Sequence, residues 1–282
     1  MRSPTLPRSL TPVALLLTLL VGVGCWSVPR IPVPNPQLPP SDGLLGSPAL
    51  QEVVDLQVRR DGGALVERLS SPVAAVRARA ALALASVQDP LAEGALQLLL
   101  DDPVATVRGN AAFALAQIPA MDGGAALSLA LASEDDPRVR DRLVSAIGRR
   151  GAPEAVVSLV GGEPDSPHRA FWTLALAEGG IRGIRDEALV EALTDRLLDP
   201  DPEVRFAAGY YFGRVSTAGP WIDRAPLVRD ALDGYPADEP TAMYLVLGLA
   251  RVNDPASDRD RLLHWLANDE DWRIRVGAAD AV

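Results

Sequence analysis

Apolar and polar positions along most of this chain obey one phrase. An aliphatic residue and an Arg are followed by small or apolar residues three, six and seven places after the Arg, and the phrase returns seven times. The clearest copies are Val76-Arg77 with Ala80, Ala83 and Leu84, Val107-Arg108 with Ala111, Ala114 and Leu115, and Val204-Arg205 with Ala208, Tyr211 and Phe212. Weaker copies open at Val139-Arg140, His168-Arg169, Thr241-Ala242 and Ile274-Arg275, so the intervals between successive Arg slots run from 29 to 37 residues. At about 100° per residue the aliphatic position and those three, six, seven and ten after the Arg share one side of a helix. A helical phrase at such a period predicts a solenoid, in which each unit buries its apolar side only against its neighbours.

Each repeat needs a second helix to close its core. Short first helices are expected over 64–69, 91–100, 125–132, 153–160, 189–198, 226–232 and 258–267, and a capping helix is expected to open at Ser47-Pro48 with Leu50, Val53, Val54 and Val58 at helical spacing. Acidic, proline-containing turns such as Asp101-Asp102-Pro103, Glu134-Asp135-Asp136-Pro137 and Asp199-Pro200-Asp201-Pro202-Glu203 separate first from second helices. Asp can cap the second helix and Pro is tolerated in its first turn. Their spacing matches no calcium loop.

Composition narrows the picture. Hydrophobic residues make up 48% of the 282 and aromatics only 5%, so the core is expected to be Ala, Leu and Val at close helix spacing. A net charge of −10 argues against nucleic acid as a partner. All 27 basic residues are Arg, which reads as coding bias. The single cysteine excludes an intramolecular disulfide and a multi-cysteine zinc site. His168 and His264 have no ligand partner at helical spacing, and no Gly-rich phosphate loop, serine elbow or Cys–His pair occurs. No catalytic residue, metal or cofactor is expected.

The first 46 residues are of another kind. Arg2 and Arg8 precede an apolar stretch over 13–23 that is too short to span a bilayer comfortably and ends in Gly22-Val23-Gly24-Cys25. This segment, 1–25, resembles a bacterial lipoprotein signal, with Gly22 where that family usually carries a branched aliphatic residue. The resemblance implies that Cys25 is lipidated, becomes the mature N-terminus and anchors an exported protein to a membrane. An ordinary cleaved signal and an uncleaved anchor are the alternatives. Residues 26–46 hold six prolines between Pro29 and Pro40. Roughly fifteen such residues at ~3.1 Å each would reach ~45 Å as a tether, the alternative being a leader with no spacing role.

The stretches DDPVATVRGNAAFALAQI at 101–118 and DPDPEVRFAAGYYFGRV at 199–215 resemble HEAT repeats, and the resemblance spans 47–282. It implies an all-α, right-handed α-solenoid of about seven helix pairs that serves as a scaffold or adaptor. The lack of His-Glu pairs separates the chain from HEAT-type metal hydroxylases. Residues 50–69 running into 76–85 are also similar to the start of exported proteins in which a HEAT array precedes a cyclophilin-type peptidyl-prolyl isomerase domain, and nothing here resembles the cyclophilin portion. The function expected is non-catalytic binding of a protein or peptide at the cell envelope, on its periplasmic or extracellular face; the alternative is the N-terminal array of such an isomerase.

Two rows of residues are candidate sites. Arg77, Arg108, Arg140, Arg169, Arg205 and Arg275 lie beside the core face and can reach the acidic turn of their own or an adjacent repeat, as a structural ladder or, alternatively, an anion-binding row. Leu82, Phe113, Leu174, Tyr210 and Leu247 stand five places after the Arg slot, away from the core face. They either line a groove for a partner or are buried between adjacent second helices. The phrase at Ile274-Arg275 stops inside its helix, so the array is expected to continue beyond residue 282.

Overall fold

The computed structural model describes residues 47–119, 124–162, 168–235, 239–268 and 272–281. Segments 1–25, with Cys25, and 26–46 lie outside the described residues. The chain divides into two units, Met1–Asn35 and Pro36–Val282, and everything below concerns the second.

Every regular element among the described residues is helical. A leading helix α1 (Pro48–Val58) is followed by seven pairs. First helices are α2 (Gly62–Arg68), α4 (Glu93–Leu98), α6 (Gly124–Ser133), α8 (Pro153–Ser158), α10 (Glu187–Asp195), α12 (Ala225–Gly234) and α14 (Pro255–Asn268). Second helices are α3 (Ala74–Val87), α5 (Ala105–Gln117), α7 (Pro137–Arg150), α9 (Arg169–Ile181), α11 (Pro202–Arg214), α13 (Ala242–Val252) and α15 (Trp272–Ala281). Each second helix packs on the next, from α3 through α15, and on the first helix of its own pair. This is an α-solenoid.

The phrase positions seal the core. Ala80, Ala83, Ala111, Ala114, Ala146 and Ala175 are buried, as are Leu84, Leu115, Ile147, Leu176 and Leu249. The buried arc is nevertheless wider than one face, because a second helix touches two neighbours as well as its partner. From α3 to α11 positions four and eight after the Arg slot are also closed, and small residues fill most of them: Ala81 and Ala85 on α3, Ala112 and Ala116 on α5, Gly209 and Gly213 on α11. Here helices meet backbone to backbone. A Cβ added to Gly148 would lie 2.6 Å from Ala175 Cα, and one added to Gly213 would lie 2.8 Å from Tyr244 Cα.

The first helices are more broken than expected. The stretch 91–100 is a 3-10 turn (Pro90–Ala92), α4, and a second 3-10 turn (Leu99–Asp101). Asp89 opens the first of these by accepting from Leu91 N–H. The tighter winding of the second points Leu98 outward, 79% exposed, while Leu100 stays in the core. A 3-10 segment at Gly219–Arg224, which the periodicity did not predict, precedes α12 and drives Trp221 into the core, its ring edge-on to Phe212 at 5.2 Å between centroids.

The close helix contacts yield a prediction. Gly148→Ala should lower stability by about 1–3 kcal/mol, since the added methyl meets backbone that cannot yield. Gly94→Ala, in α4 with open space around its Cα, should be neutral or stabilising by up to about 1 kcal/mol. Urea unfolding of both variants, followed by circular dichroism, checks the contrast.

Candidate functional site

The recurrent Arg residues occupy the first turns of the second helices, where Arg77, Arg108 and Arg205 each reach two turns at once. Arg77 donates from Nε to Asp102 Oδ2 at 2.7 Å and from Nη2 to Oδ1 at 3.0 Å, while its Nη1 donates to the Ser71 carbonyl at 2.9 Å. One repeat on, Arg108 grips Glu134 through Nε and Nη2 at 2.7 and 2.8 Å, and its Nη1 donates to the Asp102 carbonyl at 2.8 Å. Arg205 pairs with Glu239 at 2.5 Å and donates to the Asp199 carbonyl at 2.9 Å. Arg169 pairs with Asp199 at 2.6 Å.

The rule is therefore directional. A guanidinium takes the carboxylate of the following repeat's turn and, at Arg77, Arg108, Arg140 and Arg205, the carbonyl six residues before itself in its own turn. The acid is a hub and not the helix cap that its position suggested. Asp102 Oδ1 also accepts from Val104 N–H, Glu134 Oε1 from Asp136 N–H, and Asp199 Oδ1 from Asp201 N–H. Capping falls to the next acid where there is one: Asp136 caps α7 and Asp201 caps α11, whereas α3 and α5 begin at Val73 and Val104 with no side-chain cap.

One member departs from the pattern. Arg140 donates to the Leu131 and Glu134 carbonyls and lies over the Trp172 ring, 6.0 Å from its centroid. Arg275 is half-buried on α15. At slot 242, an Ala, the joint is made from the first-helix layer instead. Arg229 on α12 donates to both oxygens of Asp258 at 2.7 and 2.9 Å and to Asp254 at 3.2 Å. Sequence reading missed Arg229 because it lies outside the phrase.

The opposite ends of the second helices carry a set of contacts with no local sequence signature. Arg60 donates to the Ser86 and Val87 carbonyls, Arg150 to Ala116, Arg182 to Gly148 and Gly151, and Arg251 to Phe212. Unpaired carbonyls at a helix C-terminus are thus met by a cation from a neighbouring repeat.

Charge and burial fix the ladder's electrostatics. Asp102, Glu134, Asp199 and Glu239 each keep 4% or less of their side-chain surface exposed. Burial alone would raise the Asp102 carboxyl, yet the hydrogen bonds from Arg77 and Val104 together hold it below its ordinary value of 3.8. The Arg108 hydrogen bond, aided by Asp136 N–H and opposed by burial, holds Glu134 below its ordinary 4.5.

The second row is partly open to solvent. Leu82 is 38% exposed, and Phe113, Leu174, Tyr210 and Leu247 are half-buried at the corresponding slots of α5, α9, α11 and α13. Arg142 lies over Phe113, 5.0 Å from the ring centroid, and Arg214 lies over Tyr210 at 5.8 Å. Of the neighbouring aromatics, Trp172, Tyr211 and Phe212 are core, whereas Phe171 is half-buried.

Elsewhere no reacting constellation assembles among the described residues. His168 Nδ1 lies 2.9 Å from both Asp141 carboxylate oxygens, and His264 sits edge-on to Trp265. Among the described residues no group of three or more His, Cys, Asp or Glu is placed to hold a metal ion, and no helix is long and apolar enough to cross a membrane. Two clefts flank the turn between α9 and α10, about 730 Å³ beside Pro153 and Arg182 and about 540 Å³ beside Trp221 and Arg224. Both are lined by groups of either charge.

A family model of HEAT repeats matches residues 92–177. No curated protein sequence matches. Similar solved structures include an engineered protein determined as a structural-genomics target, 22% identical over 78% of this chain and 94% of that one, with a TM-score of 0.46. Human deoxyhypusine hydroxylase in complex with glycerol is 19% identical over 82% of this chain and 87% of that one, with a TM-score of 0.34. Neither likeness bears on what this chain does.

The ladder makes two predictions. Asp102→Ala, which leaves the partly exposed Arg77 guanidinium without its anion, should cost about 1–3 kcal/mol in urea unfolding. Because Asp102 and Glu134 titrate lower folded than unfolded, their contribution is complete above the unfolded values and drains away as pH falls from about 4 through the folded ones. Thermal midpoints should therefore drop on acidification below about pH 4, and the drop should be shallower in an Asp102→Asn, Glu134→Gln double variant.

Proposed function

We propose that this chain is a non-catalytic scaffold that binds a protein or peptide partner along the outward side of its second helices. The observation that carries this reading is the row Leu82, Phe113, Leu174, Tyr210 and Leu247, which recurs at one slot on five second helices and stays partly open to solvent where the phrase positions are sealed. Apolar side chains left in a surface row favour association. A solenoid supports such a row over several repeats because each second helix presents the same slot on the same side. The resemblance of 1–25 to a lipoprotein signal supports a bacterial envelope location, with an acyl chain on Cys25 as the membrane anchor and 26–46 as the spacer.

The row is tested by affinity purification of the full chain from its source cells. Leu174→Asp combined with Tyr210→Asp should lose, by about tenfold or more, a partner that both the wild type and Leu98→Asp retain. Equal retention by all three would remove the row from the reading. The anchor is tested by fractionation: Cys25→Ala should move the protein from membrane to soluble fraction, and a wild-type chain already in the soluble fraction would overturn lipidation.

A further inference from the structure

The open side of the second helices is charged against the grain of the molecule. Positions two, five and nine after the Arg slot lie within about 60° of one another on the helical wheel. On α3, α5, α7, α9, α11 and α13 they make up eighteen positions, three on each of six helices. Only two of these, Ala207 and Tyr244, are buried. The chain as a whole has 37 carboxylates to 27 guanidinium groups. This stripe inverts the ratio, with Arg79, Arg142, Arg149, Arg214 and Arg251 against Glu178 alone.

Arg149 and Glu178 neutralise each other at 3.2 Å. The remaining four are not paired with a carboxylate among the described residues. Arg79 donates to Gln57, Arg142 and Arg214 lie over Phe113 and Tyr210, and Arg251 donates to the Leu247 and Phe212 carbonyls. Burial disfavours the charged form of Arg79 and Arg142, and burial together with Arg214 does so for Arg251. These guanidinium groups alternate with the apolar row, and each keeps N–H donors free for an incoming acceptor.

We infer that the partner of this face is an extended acidic peptide segment in which carboxylates alternate with aliphatic or aromatic side chains. The inference rests on the reading of the row as a binding surface and adds the chemistry of what lies there. Interleaving follows from the stripe itself, since a segment lying along it can set apolar side chains on Leu82, Phe113, Leu174 and Tyr210 while its carboxylates reach the flanking Arg residues. A cation already stacked on a ring gives a carboxylate a forked, partly desolvated contact. The molecule's net charge of −10 repels a long polyphosphate and leaves a short acidic segment, held locally, as the better match.

A random linear peptide library panned against the immobilised full chain tests this. Selected peptides should be rich in Asp and Glu interleaved with apolar residues. Binding of a selected peptide, read by fluorescence anisotropy, should weaken about tenfold in Arg142→Glu and again in Arg142→Glu with Arg214→Glu. The Lys counterpart of the peptide should instead bind that double variant better than it binds the wild type. Circular dichroism melts confirm that the variants fold. Enriched peptides without acidic excess, still lost on Leu174→Asp, would overturn the acidic partner and keep the binding row. Peptides unaffected by either set of substitutions, or no enrichment at all, would overturn both, and unstructured RNA outcompeting the selected peptides would also overturn the inference.

Discussion

The stack depends on a guanidinium that must reach forward and backward at the same time. In a solenoid no residue contacts a distant repeat, so each interface must fix both the distance and the rotation of the next unit. Ala and Gly contacts set the distance but are smooth enough to slide. The fork of Arg77 on Asp102, with Nη1 held by Ser71, removes that freedom, because a planar group bonded on two edges tolerates little rotation. Lys, with a compact ammonium, could not meet the same three acceptors in one plane. The all-Arg composition that reads as coding bias therefore coincides, at these slots, with a geometric requirement.

Much of this was legible. The recurring phrase, Val-Arg in four of its seven copies, located all seven second helices, and the Ala and Leu spacing identified the residues that form the core. The directional rule of the ladder was not, because the phrase names the Arg and the acid without saying which repeat's acid answers. Arg60, Arg150, Arg182, Arg229 and Arg251 were missed for a related reason: their partners lie 25 to 39 residues away and no local pattern surrounds them. The small residues at positions four and eight were in plain view as VRARAALALA, but a one-faced helix was the wrong template for a helix with three neighbours. The row at position five was legible as a pattern and not as a surface, since burial there depends on how far adjacent helices are splayed.

The long intervals around Arg205 show how an irregular repeat is absorbed. Extra residues enter as the 3-10 segment Gly219–Arg224, and Trp221 fills the added space against Phe212. The fit is apolar at the expense of hydrogen bonding: the Tyr211 hydroxyl and the Trp221 indole N–H are both buried without a partner among the described residues. Burial pushes the Tyr211 phenol up to about 12. Each orphaned group costs on the order of 1–3 kcal/mol, which the aromatic packing of the middle repeats has to outweigh.

The two sets of Arg contacts, at opposite ends of the second helices, have a joint consequence. Contacts between like ends, such as Arg77 with Asp102 and Arg150 with the Ala116 carbonyl, mean that successive second helices run parallel. Parallel helices laid side by side align their macrodipoles, and aligned dipoles in that arrangement repel. Buried carboxylates lie where the positive ends crowd together, each shared with a ladder Arg, and a second set of guanidinium groups meets the carbonyls where the negative ends do. Since every added repeat brings a further dipole alongside the last, this compensation cannot be made once for the whole molecule. It has to be copied with each unit, so an array of this kind can lengthen by duplication only if the duplicated stretch carries its acid and its arginines together.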